Sequence, residues 1–578
     1  MQERKGVTQC TMRTIPPKNV GDVFLTPIKF QQSGRDKMKR IISVFLIITM
    51  LMLVFASCGK DTGMDKGFTY PIDNDPVYLD TQIAKDNGAL TIINNCFEGL
   101  VRMGADGKIL PGVAESWEIS SSGKKYTFNL RKDAQWLVTK SAGKTIGEDY
   151  ETSFDTKLTA HDFVFALRRA LEKNTNAPDA QRLMCIKNAK AVNKGEAKSN
   201  TLGVKAKDDY TLVINLEYPD DDFLYTLTTS ICMPCDEEFF EMTSGRYGLS
   251  TAYLIYNGPF YISSWNEDTS ISLKRNEKYA GEYKSTAASV YLSVNNEISS
   301  RGSKLSQGTY DITPLAFEQY GEVSGSKKLS FTEKADTVRG LIFNCSDKYM
   351  SNLKARLAIC YGFDTSLMEA GEYTVGKAQG IVPSACLNAS VSYREKASDV
   401  QKLRYNNKKA EGYWTDALKA LNEKGMTITI KCSYEHENQL RAAIQNLQKT
   451  FGISCDARVS PMEEQALLND IRSGNYQIAY APVKAQKDLA ADFLADNVTQ
   501  LTKYENKEYT SLINKVRNAS GNDRLNGLAR AEEFLINNGV ILPVFEEKTF
   551  YGTAEGVENI QLSACGNVVS FYNAIKYE

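Results

Sequence analysis

The chain has 578 residues, more than one hydrophobic core usually supports, so we expect at least two lobes. Its 70 acidic and 69 basic residues nearly cancel, which argues against nucleic acid or another polyanion as a partner. Only two histidines are present, which argues against metal or triad chemistry that depends on histidine.

The first element along the chain is an apolar run over 41–55 that follows several basic residues and ends in small residues before Cys58. A basic start and an apolar centre too short to span a membrane are typical of a secretory signal. Small residues followed by cysteine and glycine resemble the bacterial lipobox, so we expect a lipoprotein signal peptide at 38–57 and a lipid anchor on Cys58. A signal without lipid, or an anchor helix, is the alternative.

The residues on either side of this signal lack a periodic apolar pattern. Residues 1–37 carry scattered charges, whereas the start of a secretory signal is normally brief. We therefore expect translation to begin at Met38 and the upstream stretch to be an over-extended reading frame. Residues 58–67 are polar and are predicted to be a tether.

Short strands joined by tight turns are predicted between Phe97 and Trp136. Asp106-Gly107 and Ser122-Gly123 are hairpin turn signals. Apolar residues alternate with polar ones over 126–130, at the period of a strand. Two hairpins of a small sheet are therefore expected.

A helix is predicted after these hairpins. Thr159 offers a hydroxyl for the N-cap, and Asp162 follows three residues later, as in a capping box. Apolar residues then recur on one helical face over 163–171. We expect this helix to cover the small sheet.

The motifs of this region follow one another in a specific order: Glu98-Gly99-Leu100, Asp106-Gly107, Pro111-Gly112-Val113-Ala114-Glu115-Ser116-Trp117, the run from Tyr126 to Trp136, and Thr159-Ala160-His161-Asp162-Phe163. With these motifs the chain resembles the family-5 extracellular solute-binding proteins, the oligopeptide and dipeptide receptors of ABC importers. The resemblance covers essentially everything after Cys58. It implies an α/β fold of the periplasmic-binding-protein-like type II, in which two α/β lobes joined by two crossing strands hold ligand in the cleft between them.

The resemblance also implies where the lobes begin and end. Lobe I would comprise 68–98, 200–338 and 546–578, a small accessory lobe would comprise 99–199, and lobe II would comprise 339–545. Crossing strands are expected at Gly340 to Asn344 and at Ile541 to Phe545. Independently, helices and strands alternate between 418 and 459, which indicates an α/β lobe.

Ten cysteines follow Cys58. In an exported protein these could form disulfides. However, several lie inside apolar patterns where a free thiol behaves as a small hydrophobe, namely Cys96, Cys345, Cys360 and Cys432. We therefore expect core thiols. Cys232 and Cys235 form a close pair, but no second pair and no nearby histidine completes a redox or zinc site.

Three consecutive carboxylates, Asp220, Asp221 and Asp222, are the only other candidate for a metal site. They lack the alternate spacing with which carboxylates wrap calcium, so we expect a solvated helix start instead. The sequence predicts neither a metal nor a cofactor.

The resemblance implies that the second lobe presents ligand-binding residues within the run Gly474 to Asp488, which includes Tyr480. In the family, an aspartate after this strand receives the peptide's terminal ammonium. Counted without gaps, that aspartate falls on Gln486 and an aromatic cleft position falls on Val483. A neutral amide binds an ammonium less strongly than a carboxylate does, because charge-assisted hydrogen bonds are stronger.

Two explanations of this departure stay open. Either Asp488 or a water bridge receives the ammonium, or the natural ligand is not an ordinary free peptide. In the second case Lys484 and Lys487 would favour an anionic group, unless they belong to a solvated loop.

The first lobe would face the ligand with a strand at Asn87-Gly88-Ala89, found by counting back from Glu98. Arg339, beside a crossing strand, is a candidate for binding a ligand carboxylate, with a surface salt bridge as the alternative.

The sequence thus predicts a lipid-anchored solute-binding subunit that holds oligopeptides by main-chain hydrogen bonds and hinge closure, without chemistry. We expect a monomer that meets ABC permease subunits at the extracytoplasmic face of a Gram-positive cell membrane. The alternative is the same fold with a sugar, haem or nickel complex as ligand. A secreted hydrolase is disfavoured because only His161 and His436 are available and the G-x-S-x-G and H-E-x-x-H motifs are missing.

Overall fold

The structure is a computed structural model that describes residues 67–104, 107–282, 285, 287–389, 391–397 and 400–577. The predicted signal peptide, Cys58 and nearly all of the tether lie outside the described residues. Within the described ranges, none of the helices combines the length and the apolarity needed to cross a membrane.

The strands of the described residues are short except for two that cross between the lobes. In chain order they are β1 (Phe68–Ile72), β2 (Val101–Met103), β3 (Ile109–Pro111), β4 (Ala114–Ile119), β5 (Lys125–Leu130), β6 (Val204–Asp208), β7 (Thr211–Asn215), β8 (Phe260–Asn266), β9 (Ser270–Arg275), β10 (Ser289–Val294), β11 (Ile312–Leu315), β12 (Leu329–Phe343), β13 (Thr374–Lys377), β14 (Leu387–Asn388), β15 (Val391–Ser392), β16 (Met426–Ser433), β17 (Cys455–Met462), β18 (Ile478–Lys484), β19 (Ile541–Ala554), β20 (Val557–Glu558), β21 (Gln561–Leu562), β22 (Val569–Ser570) and β23 (Ile575–Lys576).

These strands form three main sheets. The first has the order β1-β10-β9-β8, and the second, in the predicted accessory region, has the order β4-β5-β7-β6. The third and largest has the order β11-β19-β12-β18-β16-β17, with β13 also pairing with β19. In it β16 runs parallel to β17 and to β18, while β12 and β19 run antiparallel to their neighbours.

Helices pack around these sheets. Those of six or more residues are Asn87–Cys96, Lys140–Ile146, Ala160–Leu171, Ala189–Lys194, Glu237–Met242, Arg301–Ser306, Phe317–Val323, Leu353–Gly362, Asn407–Leu421, Glu437–Phe451, Glu464–Ser473, Lys507–Arg517 and Gly521–Asn537. A further helical stretch covers 490–502 and contains a π-helical turn at Phe493–Asn497.

Local sequence signals predicted several of these elements correctly. The hairpin of β4 and β5 turns at Gly123, whose φ of +66° is readily adopted only without a Cβ. The helix Ala160–Leu171 begins with the predicted capping box, in which Thr159 and Asp162 satisfy each other's backbone N–H groups.

The two crossing strands are confirmed and are longer than predicted. Leu329 to Lys334 of β12 pairs with the end of β19, and Thr337 to Ile342 pairs with its beginning. The register shifts between Lys334 and Thr337, which divides each strand into a part in either half of the molecule. An irregularity at this point is where a hinge between two lobes can bend.

Two large hydrophobic cores flank this crossing. The first draws mainly on residues between 68 and 292 and on the tail between 551 and 574. The second draws on residues between 341 and 545, and one tail residue, Cys565, joins it. The predicted α/β fold with two lobes and two crossing strands is confirmed, while the boundaries given above for the three lobes stay predictions.

Candidate functional site

A cavity of about 1020 Å³ lies between the two lobes. That volume is at the upper end of the about 300–1,000 Å³ typical of small-molecule sites. Its walls combine first-lobe residues, residues of the predicted accessory lobe and second-lobe residues, among them Asn87, Glu98, Arg102, Asp179, Arg182, Tyr225, Leu387, Gln486, Asp488, Asn497 and Cys565.

The predicted ligand-binding residues fall into two groups. Asn87, Gly88, Gln486 and Asp488 line the cavity. The other predicted residues lie away from its wall, namely Ala89, Arg339, Tyr480, Val483 and Lys484. The structure therefore brings one short predicted segment of each lobe to the cavity. The preceding second-lobe strand, which was also predicted to bind ligand, does not reach the cavity wall.

The prediction of a strand at Asn87-Gly88-Ala89 is wrong, because these residues form the first turn of the helix Asn87–Cys96. The cause is Asp86, whose carboxylate caps the helix by accepting a hydrogen bond from the Ala89 N–H at 2.8 Å. The helix thus begins at the cavity wall, while the Ala89 side chain is buried in the first core.

Arg339 is engaged in a buried ion pair, so the alternative of a surface salt bridge is wrong. Its side chain is 4% exposed, and its Nε donates to Glu547 at 2.5 Å. A second carboxylate, on Glu464, lies 3.9 Å from its Nη2. Removing one partner from such a pair would leave the other charge buried and unpaired, which is costly. Arg339 therefore has a structural role in this conformation.

Tyr480 and Val483 are buried because β18 lies inside the largest sheet. Val483 pairs with Val338 of β12, and Tyr480 pairs with Leu341 of the same strand. The Tyr480 ring also packs edge-on against His436 at 5.2 Å. Both side chains therefore support the second lobe.

Asp488 occupies a central place in the cavity wall and joins the two lobes. The Tyr225 hydroxyl donates to its Oδ2 at 2.7 Å, and the backbone N–H of Cys565 donates to its Oδ1 at 2.7 Å. Burial raises the pKa of Tyr225 well above its ordinary value, which keeps this hydroxyl a donor. Gln486, two residues before, has an exposed side chain.

The two lysines of this segment pair with carboxylates. Lys487 donates to Asp179 of the predicted accessory lobe at 2.5 Å and lies 3.9 Å from Asp496. Lys484 lies 3.6 Å from Asp336, a fully buried carboxylate on a crossing strand. Both side chains are also partly exposed, at 30% and 33%, so their role toward an anionic ligand stays a prediction.

A helix does begin here, at Phe223–Thr226 with Asp222 as its N-cap residue, but the prediction that this helix start is solvated is wrong for Asp220 and Asp222. Arg524 of the second lobe pairs with Asp222 and, at 3.2 Å, with Asp220. The Asp222 side chain is only 4% exposed, and its Oδ1 accepts from the Ala389 N–H at 2.6 Å. Burial raises the pKa of Asp222 to about 6, and the Arg524 charge opposes that rise. We call this set, Asp220, Asp222 and Arg524, the interlobe ion pair.

A second charged contact crosses the cleft beside the cavity. The Nη2 atom of Arg182 lies 2.6 Å from the carboxylate of Asp492 in an ion pair, and both side chains are nearly buried. Sequence reasoning missed Tyr225, Arg182 and the interlobe ion pair, because their partners lie hundreds of residues away along the chain.

Glu98, of the motif Glu98-Gly99-Leu100, also reaches the cavity wall. Arg131 donates to its carboxylate at 2.8 Å, and the Tyr279 hydroxyl donates to the other oxygen. Burial raises the pKa of Glu98, and the Arg131 charge opposes the rise. Among the described residues, no cluster of three or more His, Cys, Asp or Glu side chains is placed to hold a metal ion.

Comparison with known proteins gives a family match. The model of bacterial extracellular solute-binding proteins, family 5 (middle region), matches residues 108–501. The chain is similar to the dipeptide-binding protein DppE of Bacillus subtilis, with 26% identity over 489 residues that cover 82% of this chain and 85% of the relative. It is similar to the oligopeptide-binding protein OppA of the same organism, with 24% identity over 576 residues that cover 93% and 99%.

Two further similarities bear on the ligand and the fold. The probable deoxycholate-binding periplasmic protein YgiS of Escherichia coli is 26% identical over 497 residues, which cover 83% of this chain and 87% of that protein. The structure of Listeria monocytogenes OppA bound to peptide superposes with a TM-score of 0.68 at 21% identity, covering 89% of this chain and 99% of that one. This structural likeness supports the fold.

Proposed function

Because the chain belongs to the bacterial extracellular solute-binding proteins of family 5, we propose that it is the solute-binding subunit of an ABC importer and that it captures oligopeptides in the interlobe cavity. The observation that carries this proposal is the cavity of about 1020 Å³ whose walls come from both lobes. Relatives named for dipeptide and oligopeptide binding match along 85% and 99% of their own lengths.

The ammonium of a peptide binds to Asp488 in this proposal. An ionised carboxylate has about four lone-pair sites, and Tyr225 and Cys565 use two of them. The remaining sites can accept charge-assisted hydrogen bonds from the ligand. Gln486, Asn87 and Gly88 lie on the same cavity and supply polar groups for the ligand's main chain.

Arg102 replaces Arg339 as the candidate for a ligand carboxylate. It lines the cavity, and the Arg102 side chain is 16% exposed. Its ion-pair partner Glu282 is 75% exposed and 3.5 Å away, so this pair is weak and can be exchanged for a ligand. Of the other cations on the cavity wall, Lys487 and Arg182 are already paired closely, and Lys85 is exposed to solvent.

Ligand capture requires the lobes to part and close about the crossing strands. The interlobe ion pair, the Arg182–Asp492 contact and the Tyr225–Asp488 hydrogen bond all join the lobes in the present conformation. Parting the lobes returns these groups to water, so their pairing favours the closed form. Binding proceeds without chemistry, and we propose no catalytic residue.

The same proposal includes an anchor and a partner. Cys58 carries the lipid, the chain is a monomer at the extracytoplasmic face of the cell membrane, and the closed form meets the permease subunits. Metabolic labelling with a fatty acid tests the anchor, since the wild-type chain is expected to be labelled and the Cys58→Ser variant is not.

A non-peptide ligand is the second candidate, favoured by the similarity to a probable deoxycholate-binding protein. Isothermal titration with a mixed peptide pool and with deoxycholate separates the two candidates. We expect heat and a shifted unfolding temperature with peptides. Binding of deoxycholate alone would replace the peptide proposal, and cleavage of any peptide during the titration would overturn the claim of binding without chemistry.

A further inference from the structure

Two buried thiols face each other beside the cavity. The sulfur atoms of Cys386 and Cys565 are 3.8 Å apart, and the residues are 0% and 1% exposed. Both are free in this structure, as are the other described cysteines. A disulfide requires an S–S distance of about 2.05 Å, so a small approach of the two side chains would join them.

The two thiols come from different parts of the molecule. Cys565 lies in residues 563–568, which we call the tail loop, between β21 and β22. The tail around this loop belongs to the first lobe, because Val569 and Phe571 pack in the first core. Cys565 itself packs in the second core, where Cys386 also lies. The tail loop therefore reaches across the cleft.

Hydrogen bonds hold the tail loop against the second lobe. The Cys565 N–H donates to Asp488, and the Gly566 N–H donates to the Ala485 carbonyl at 3.2 Å. Lys334, on crossing strand β12, donates to the Gly566 carbonyl at 3.2 Å.

We propose that Cys386 and Cys565 form a disulfide in the extracytoplasmic compartment, which fastens the tail loop to the second lobe. The oxidant is a low-molecular-weight or protein disulfide. One protein thiolate attacks a sulfur of that disulfide and releases one thiol, and the second thiolate resolves the mixed disulfide and releases the other. The two cysteines lose two protons and two electrons in all, and the external disulfide becomes two thiols.

Oxidation begins when the lobes part. Burial raises the pKa of the Cys386 thiol well above its ordinary value, so it is unreactive in the closed form. Cys565 lines the cavity, and its cover comes from the opposite lobe, so opening exposes it to an external disulfide. Closure then brings Cys386 to the mixed disulfide.

The bond would restrain the cleft beside its ligand. Leu387, the residue after Cys386, lines the cavity, and its N–H donates to the carbonyl of Asp488 at 2.6 Å. An oxidised pair would therefore slow opening and ligand release. This consequence rests on the proposed function, whereas formation of the disulfide does not.

The test uses the full chain exported by a bacterial host, and separately the reduced protein incubated with glutathione disulfide. Non-reducing peptide mapping is expected to find a peptide pair joined through Cys386 and Cys565. Thiol counting after denaturation is expected to show a loss of two thiols in the wild type and in Cys432→Ala, a buried control. In Cys386→Ala at most one thiol is lost, because a mixed disulfide on Cys565 cannot be resolved, and in Cys565→Ala none is lost. Free thiols at both positions, glutathione on one of them alone, or bonds between other cysteines would overturn the proposal.

A second measurement follows release of a bound fluorescent peptide by stopped flow. Oxidation is expected to slow release by about tenfold or more in the wild type and in the Cys432→Ala control, and reduction is expected to restore it. If the mapped disulfide forms but release is unchanged, the restraint on the cleft is refuted while the bond stands. If the disulfide forms but no peptide binds, the proposed function is refuted and the disulfide proposal stands.

Discussion

Replacing Arg524 with alanine removes the centre of the interlobe ion pair. Arg524 and Asp222 are each 4% exposed, and their neighbours Leu528 and Phe223 pack in the second and first cores respectively. Breaking a buried pair by removing one partner costs about 3–5 kcal/mol. In the open form both groups reach water, so the cost falls on the closed form.

The expected loss of ligand affinity follows from this difference. The Ala389 N–H still hydrogen-bonds to Asp222 in the variant, so we take the lower end, about 3 kcal/mol. Since about 1.4 kcal/mol is tenfold in a binding constant, Arg524→Ala should weaken peptide binding by about a hundredfold.

The assay is titration with a fluorescent peptide, with thermal unfolding measured in parallel to show that the variant is folded. The control is Arg441→Ala, because Arg441 is 54% exposed and pairs with Glu437 on the same helix. Such a surface pair contributes about 0–1 kcal/mol, so affinity should change little. Unchanged affinity in folded Arg524→Ala, or an equal loss in Arg441→Ala, would refute the reasoning.

Three further predictions concern the cavity, the pH response and the crossing strands. Asp488→Asn should weaken binding of a free peptide by about 10- to 100-fold, because only a free ammonium makes a charged hydrogen bond to the carboxylate. Binding of the N-acetylated form of the same peptide should weaken much less. Competition titrations measure both affinities, and equal losses would contradict the role assigned to Asp488. Burial raises the pKa of Asp236 from 3.8 to about 7, with Asp162 adding to the rise, so folding takes up a proton and stability falls as pH rises through that range. Asp236→Asn should flatten this pH dependence and stabilise the protein at pH 8 by about 1–2 kcal/mol, a figure discounted for the partial exposure of the side chain. Thermal unfolding at pH 5 and pH 8 measures the change, and a steeper pH dependence in the variant would contradict this prediction. Gly340→Ala should destabilise the fold by about 1–3 kcal/mol in urea unfolding, because the added Cβ would clash with the backbone carbonyl of Leu542 in β19. Gly376→Ala is the control and should cost little, because a Cβ there would meet open space.

Sequence alone predicted the elements whose causes are local. The capping box of Thr159 and Asp162 and the hairpin at Gly123 depend on residues a few positions apart. The crossing strands and the α/β second lobe came from the order of motifs and from alternating apolar patterns. The helix at Asn87 also has a local cause, the N-cap at Asp86. Because the prediction did not consider that cap, it placed a strand there.

The cavity wall could be predicted only in part, because it depends on contacts between distant segments. Asp222 and Arg524 are 302 residues apart, and Tyr225 and Asp488 are 263 apart. The periodicity of apolar residues along a sequence does not indicate contacts between residues so far apart. Val483 does not line the cavity, because its side chain is fully buried in the second core. The sequence therefore predicted that the segment with Gln486 and Asp488 reaches the cavity, but it did not predict which groups surround their side chains.

The cleft is expected to hold a peptide and to leave it intact. Mass spectrometry of the protein purified natively from cells grown in casein hydrolysate tests this most directly, with release of the ligand by denaturation. We predict intact peptides with free amino termini from the wild type, and a marked loss of them from Asp488→Asn. Recovery of only a non-peptide ligand, of cleaved fragments of an added peptide, or of the same peptides from both proteins would contradict the account.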